Sequence, residues 1–235
     1  MKLTLTSILV LLSIFSGFSQ SNFYKLGIGS GFGTTHSFTD VEKSGNGISV
    51  YGTADYFFTP FISMGVEGQI GQIAGGDVFT DSRNREFLNN YKSFTFNGKL
   101  YLGSIINYDY SPTANLLKGI YGGTGIGLIQ NKIIAINRRN TYANTTSPGQ
   151  NNSFNILVPL NLGINVYLAD RQGDYRYVLN LNLQGNLTFG EGLDGYNDSS
   201  IRFSNNRPDA YSYISVGFKY LLGPMGLSMK TFRRP

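Results

Sequence analysis

From about residue 22 onward, apolar side chains recur at every second position, the period of an extended strand with two unlike faces and not the 3.6 of a helix. Eight segments carry the pattern. In the first, 24–35, Tyr24, Leu26, Ile28 and Phe32 share one face, while Lys25, Gly27, Gly29, Gly31 and Gly33 share the other. The second, about 47–59, sets Ile48, Val50, Ala54, Tyr56 and Phe58 against Ser49, Tyr51, Thr53 and Asp55. After a tight turn at Thr59 and Pro60, the third sets Ile62, Met64, Val66 and Ile70 against Ser63, Gly65, Glu67 and Gln69, so the two form a hairpin. The fourth, about 92–103, opposes Phe94, Phe96 and Leu100 to Thr95, Asn97, Lys99 and Tyr101. In the fifth, about 118–130, Ile120, Thr124, Ile126 and Leu128 face away from Tyr121 and three glycines. The sixth, 153–168, alternates most cleanly, from Phe154 to Leu168 on one face and from Asn155 to Tyr167 on the other. The seventh, 176–189, sets Tyr177 and a row of leucines against Asn180, Asn182, Gln184 and Asn186. The eighth, 210–222, sets Ile214, Val216, Phe218 and Tyr220 against Tyr213, Ser215, Gly217 and Lys219.

Connection lengths carry a second signal. Short turns near 60 and at 169–175, with an intermediate one at 105–117, alternate with long polar stretches near 36–46, 74–91, 131–152 and 190–209. Long loops therefore fall at one end of the strands and short turns at the other. No helical crossover intervenes, so sequence neighbours should pair antiparallel. A meander of about eight strands is best closed into an up-and-down barrel, which leaves no unpaired edge.

Two barrels fit: a soluble one with a greasy interior, or a membrane one turned inside out. The minority face decides. It carries Asp55, Glu67, Lys99 and Lys219 among amides, hydroxyls and glycines, whereas a solvated exterior would be dense in Lys and Glu. The other face is apolar and, across the sixth segment, unbroken by any charge. Aromatics gather near its two ends, Tyr24, Phe58, Tyr177 and Tyr220 at the short turns and Phe32, Phe94, Phe154 and Phe189 at the long loops, like two interfacial girdles. The reading is an all-β, antiparallel up-and-down transmembrane β-barrel of about eight strands, with long extracellular loops and short periplasmic turns.

Composition agrees with that reading. Of 235 residues 30 are glycine, charged residues make up only 14%, and aromatics another 14%, a bias away from ordinary soluble domains. Lys2 followed by the apolar run 3–18 and by Gly17 and Ser19 predicts a signal peptide over 1–19, cleaved ahead of Gln20. The run is shorter than a spanning helix needs. The barrel domain is then expected over 20–222, a periplasmic tail over 223–235, and the location is the cell outer membrane.

The stretches YKLGIGSGFG, YFFTPFISMGVEG and SYISVGFKYLL, together with the leader ending FSGFSQ, resemble the small outer-membrane β-barrel proteins common in the Bacteroidota, with the architecture of the OmpX and OmpA barrels. The resemblance covers nearly all the exported chain and implies a Gram-negative membrane protein, related in outline to porins. It also implies recognition of the final strand by the barrel assembly machinery. That strand commonly ends such chains, whereas here GPMGLSMKTFRRP follows it.

Candidate chemistry is sparse. The chain has no cysteine and one histidine, which excludes thiolate chemistry and makes metal centres improbable. The alternating glycines of 27–33 spell no phosphate-binding fingerprint and no helix follows them. His36 and Ser37 are adjacent, so in a strand they point to opposite faces and do not form a nucleophile and base. Asp194, Asp198 and Asp209 suit solvated loops better than a calcium site. No cofactor, enzymatic activity or nucleic-acid partner is expected. Asp55, Glu67, Lys99 and Lys219 are expected to form a lumenal charge cluster with a structural role. Lys132, Arg138 and Arg139 make one long loop basic and suited to lipopolysaccharide or a protein partner. The leading expectation is a non-enzymatic outer-membrane barrel that acts through loops, tail or partners. An accessory subunit of a secretion or surface-assembly machine, and a narrow porin-like channel, are the alternatives.

Overall fold

The computed structural model describes residues 21–39, 41–108, 111–140, 144–190, 192–196 and 209–228. The expected signal peptide lies outside the described residues. Strands β1 (Ser21–Phe38), β2 (Asn46–Thr59), β3 (Ile62–Gly76), β4 (Glu86–Tyr101) and β5 (Ile120–Asn137) are followed by a two-residue pair, β6 (Arg139–Asn140) and β7 (Thr145–Thr146). Strands β8 (Asn152–Ala169), β9 (Tyr175–Phe189) and β10 (Ala210–Leu227) complete the order. Eight of these close into one antiparallel barrel in the order β1-β10-β9-β8-β5-β4-β3-β2, and β6 with β7 forms a small ladder within the β5–β8 loop. The expected class and strand count stand.

The alternation dictates the faces. Tyr51, Thr53, Asp55 and Phe57 of β2 are buried, while Val50, Ala54, Tyr56 and Phe58 between and beside them are exposed, and β3, β4, β9 and β10 repeat the rule. The apolar face points outward and the polar face into the lumen, the inverse of a water-soluble protein. The outward apolar run of β2 from Ile48 to Phe58 covers ten residue steps, roughly 34 Å of strand and about 26 Å along the barrel axis at a tilt of about 40°.

Short turns are tightly specified. In the β2–β3 turn the Thr59 hydroxyl accepts the Phe61 N–H at 3.2 Å. In the β8–β9 turn the Asp170 carboxylate accepts the N–H groups of Gln172 and Asp174, at 2.8 and 3.0 Å, and pairs with Arg176 at 3.0 Å. Gly173 sits there at φ +88°, a left-handed backbone that favours glycine. The third short-side connection carries a six-residue helix, α1 (Pro112–Leu117), begun by proline in its first turn.

Three expectations need correction. Tyr24 belongs on the outer girdle by parity, yet it is buried, because the register of β1 against β10 slips between Tyr24 and Leu26 and again between Ser21 and Phe23. The tail was expected to leave the barrel at residue 223. Instead β10 runs on to Leu227, with Tyr24 opposite Met225 and Ser21 opposite Leu227. Residues 229–235 lie outside the described set. Finally, two of the long loops are shorter than the alternation suggests: β3–β4 narrows to 77–85, and β5 continues to Asn137. Beyond the apolar band, polar residues occupy both faces, so the strand persists where its period disappears.

Candidate functional site

The lumen is filled in three levels. Next to the short turns, Phe23, Tyr24, Phe57, Phe61, Tyr101, Tyr108, Tyr121, Tyr175, Val178 and Leu221 form one buried cluster. The Lys118 ammonium lies 4.6 Å and 5.0 Å from the ring centres of Tyr175 and Tyr108, a distance at which the ring quadrupole attracts a cation.

The middle level holds the charges. The Asp55 carboxylate accepts from Lys219 at 2.5 Å and from Lys99 at 3.4 Å, and all three side chains are at most 4% exposed. Of the four expected members, the structure brings these three into one ion-pair triad. Glu67 is buried beside them and accepts from the Gln69 amide at 2.8 Å instead of from a lysine. Gln69 also donates to Gln184 across the lumen at 2.6 Å, and Tyr91 donates to Ser49 at 2.8 Å. An amide chain completes the level. Asn182 donates to Asn161 at 3.0 Å and Asn161 to Asn97 at 3.3 Å, while Asn180 donates to Asn165 and Tyr121 at 2.7 and 2.9 Å. Two carboxylates and two ammoniums balance, as buried charges require.

The glycines of β1 make room for this. A Cβ at Gly29 would sit 2.5 Å from Cγ of Lys219, and one at Gly31 would sit 2.5 Å from the Tyr51 ring. Tyr51 in turn packs edge-on against Tyr213, their ring centres 6.1 Å apart.

The level next to the long loops was not legible in advance. Leu193, from the β9–β10 loop, is fully buried among Val41, Ile73, Phe87, Tyr91, Ile129, Leu157, Tyr211 and Tyr213. Its carbonyl accepts from Asn89 at 2.8 Å, and its N–H donates to Asp209 at 3.2 Å. Tyr196 caps the same cluster. Its phenol lies 2.7 Å from the Asn137 carbonyl and accepts the Glu86 N–H at 3.1 Å, and the Arg85 guanidinium lies 4.7 Å from its ring centre. Burial pushes this phenol up to about 12. Gly192 and Gly195, at φ +128° and +79°, let the loop turn into the mouth and out again. A leucine set between Gly192 and Gly195 was the available signal.

The three basic residues expected to act together are separated. Lys132 lies on the outer wall of β5, Arg138 turns onto the β9–β10 loop and donates to the Gly195 carbonyl at 2.9 Å, and Arg139 is exposed. His36 and Ser37 diverge: the His36 ring nitrogen meets Asn46 at 2.8 Å, while the buried Ser37 hydroxyl donates to the Ala74 carbonyl at 2.7 Å. Asp194 and Asp209 accept backbone N–H groups; Asp198 lies outside the described residues.

A scan of protein-family models finds no match, and a search of the curated proteins finds none. Solved structures with a similar course include Neisserial surface protein A, at 11% identity over 84% of this chain and 97% of that one, with a TM-score of 0.47. The attachment invasion locus protein Ail of Yersinia pestis, at 12% identity, covers 84% and 99%, with a TM-score of 0.41. The outer membrane protein OprG of Pseudomonas aeruginosa, at 9% identity, covers 85% and 97%, with a TM-score of 0.39. The architecture stated for this chain rests on its own strand register.

Proposed function

We propose that the chain is an integral outer-membrane β-barrel protein, exported through a cleaved signal peptide, whose role is non-enzymatic and exercised by its long loops toward the cell exterior. The observation that carries this is the inversion of polarity around a closed barrel: aliphatic and aromatic residues outside, a bonded polar and charged network inside. In water that exterior would be one continuous apolar patch of a size soluble monomers avoid. Its height matches the roughly 25 Å apolar band of such barrels.

The packed lumen favours a structural or partner-binding component over a conducting one. Three tiers of side chains fill it, and the loop residue Leu193 stops the exterior mouth. The strand motifs support kinship with the Bacteroidota barrels as part of the same proposal. In cell fractions, the protein should reside in the outer membrane and migrate faster on gels unheated than boiled. Recovery of the exported chain as a soluble periplasmic species would overturn the proposal.

A further inference from the structure

The outer wall breaks its apolar pattern on one side of the barrel, just beyond the band on the long-loop side. Above Ile70, Phe94, Leu128 and Phe154, the next outward positions carry Gln72, Lys92, Asn90, Gln130, Lys132 and Asn152. These residues line an open groove of about 540 Å³ across β3, β4, β5 and β8.

The register explains why the lysines meet. Lys92 pairs with Gln130, and Asn90 with Lys132, so the two lysines are diagonal neighbours on adjacent strands, roughly 7–8 Å apart at their bases and within reach of a common anion. Neither ammonium has an ion pair among the described residues. No carboxylate lines the groove; the closest along β4 is Glu86, beyond Asn90 and Leu88. Outward rim positions elsewhere carry His36, Asn46 and Ser212, so the two cations are concentrated and not spread around the rim. Like charges side by side are unfavourable until an anion sits between them. The four amides add donors to such an anion. The wall directly below is apolar, with Ile70, Phe94 and Phe154 all more than half exposed.

Resting on the outer-membrane reading, we infer that this groove binds the phosphorylated head group of an outer-leaflet glycolipid. Lys92 and Lys132 hold the phosphate, Asn90 and Gln130 bond the sugar, and the acyl chains lie down the wall over Phe94 and Phe154. A soluble phosphate would make no use of that wall, which is why the lipid is assigned.

The test uses the full exported chain in phosphatidylcholine nanodiscs containing either bisphosphorylated lipid A or its dephosphorylated form, with native mass spectrometry counting the lipid retained in detergent. Wild type should retain the phosphorylated form selectively. Lys92→Gln with Lys132→Gln should lower retention about thirtyfold, at the energy expected of two lysines near an anionic surface, while Lys92→Arg with Lys132→Arg keeps it. Lys43→Gln, which removes a lysine already paired with Asp77 at 2.9 Å, should change nothing. Equal retention of the dephosphorylated form, or undiminished retention by the double glutamine variant, overturns the inference. Displacement of the lipid by inorganic pyrophosphate at equal concentration would reassign the groove to a soluble anion and overturn it as well. Insertion is read separately by heat-modifiable migration. Failure of the wild type to insert defeats the membrane reading, whereas an inserted barrel without lipid selectivity defeats the groove alone.

Discussion

Asp55 is the ion-pair partner shared by two buried ammoniums, so its removal exposes a general asymmetry: breaking a buried pair costs far more than the pair contributes. Asp55→Ala should lower stability by about 3–5 kcal/mol, because Lys99 and Lys219 lose their shared counter-charge. Urea midpoints in detergent micelles measure this. Combining Asp55→Leu and Glu67→Gln with Lys99→Met and Lys219→Met, which removes all four charges together, should recover much of the loss, and an equally unstable quadruple variant would show that uncompensated charge is not the cause. Gly31→Leu tests the other side of the lumen, since Tyr51 occupies the space a side chain would need; folded, heat-modifiable barrel should fall sharply. The inward direction of Asp55, Lys99 and Lys219 was readable from parity alone. Their gathering into one cluster was expected, but the amide bonds around it were not legible, because lumenal bonds join strands distant in sequence, as Gln69 to Gln184 does. Tyr24 was misplaced because a backbone bulge leaves no mark in a hydrophobic pattern.

The β9–β10 loop is held in the mouth by Leu193, two backbone-turning glycines and the Tyr196 phenol. Leu193→Ala should free the loop, at a cost of about 2–4 kcal/mol for a fully buried leucine, and speed protease cleavage between 190 and 209 while the barrel keeps its gel shift. The phenol adds a pH dependence. Burial raises its pKa from 10.0 to about 12, so an opened loop ionises first. The contribution is intact below pH 10.0 and is lost as the pH climbs toward about 12. Cleavage in Tyr196→Phe should lack that alkaline rise. Strand existence and order were legible because one face is apolar throughout the band. Strand ends were not, since residues 86–91 and 131–137 are polar or mixed on both faces yet still paired.

Across the whole molecule, polarity is inverted, and substitutions should respect depth and side. Leu160→Arg, at an exposed mid-strand position of β8, should destabilise the inserted protein by about 2–4 kcal/mol. At a water-facing position the same change would be nearly neutral, so a neutral result in refolding titrations from lipid vesicles would show that this wall does not face hydrocarbon. Planar-bilayer recordings should give no stable conductance from the intact chain, given the three packed tiers. The seam between β1 and β10 has a further consequence. Ser21 lies opposite Leu227, so the first and last strands are hydrogen-bonded neighbours, and sequence order around the ring is a matter of where the chain happens to be cut. Linking those two ends through a short glycine spacer and opening new ends in the 170–174 turn should yield a circular permutant with the same circumference, register and gel behaviour. In that permutant the seam would fall between β8 and β9, and any step that must recognise a terminal strand would meet Ala169 and its neighbours where it now meets Leu227.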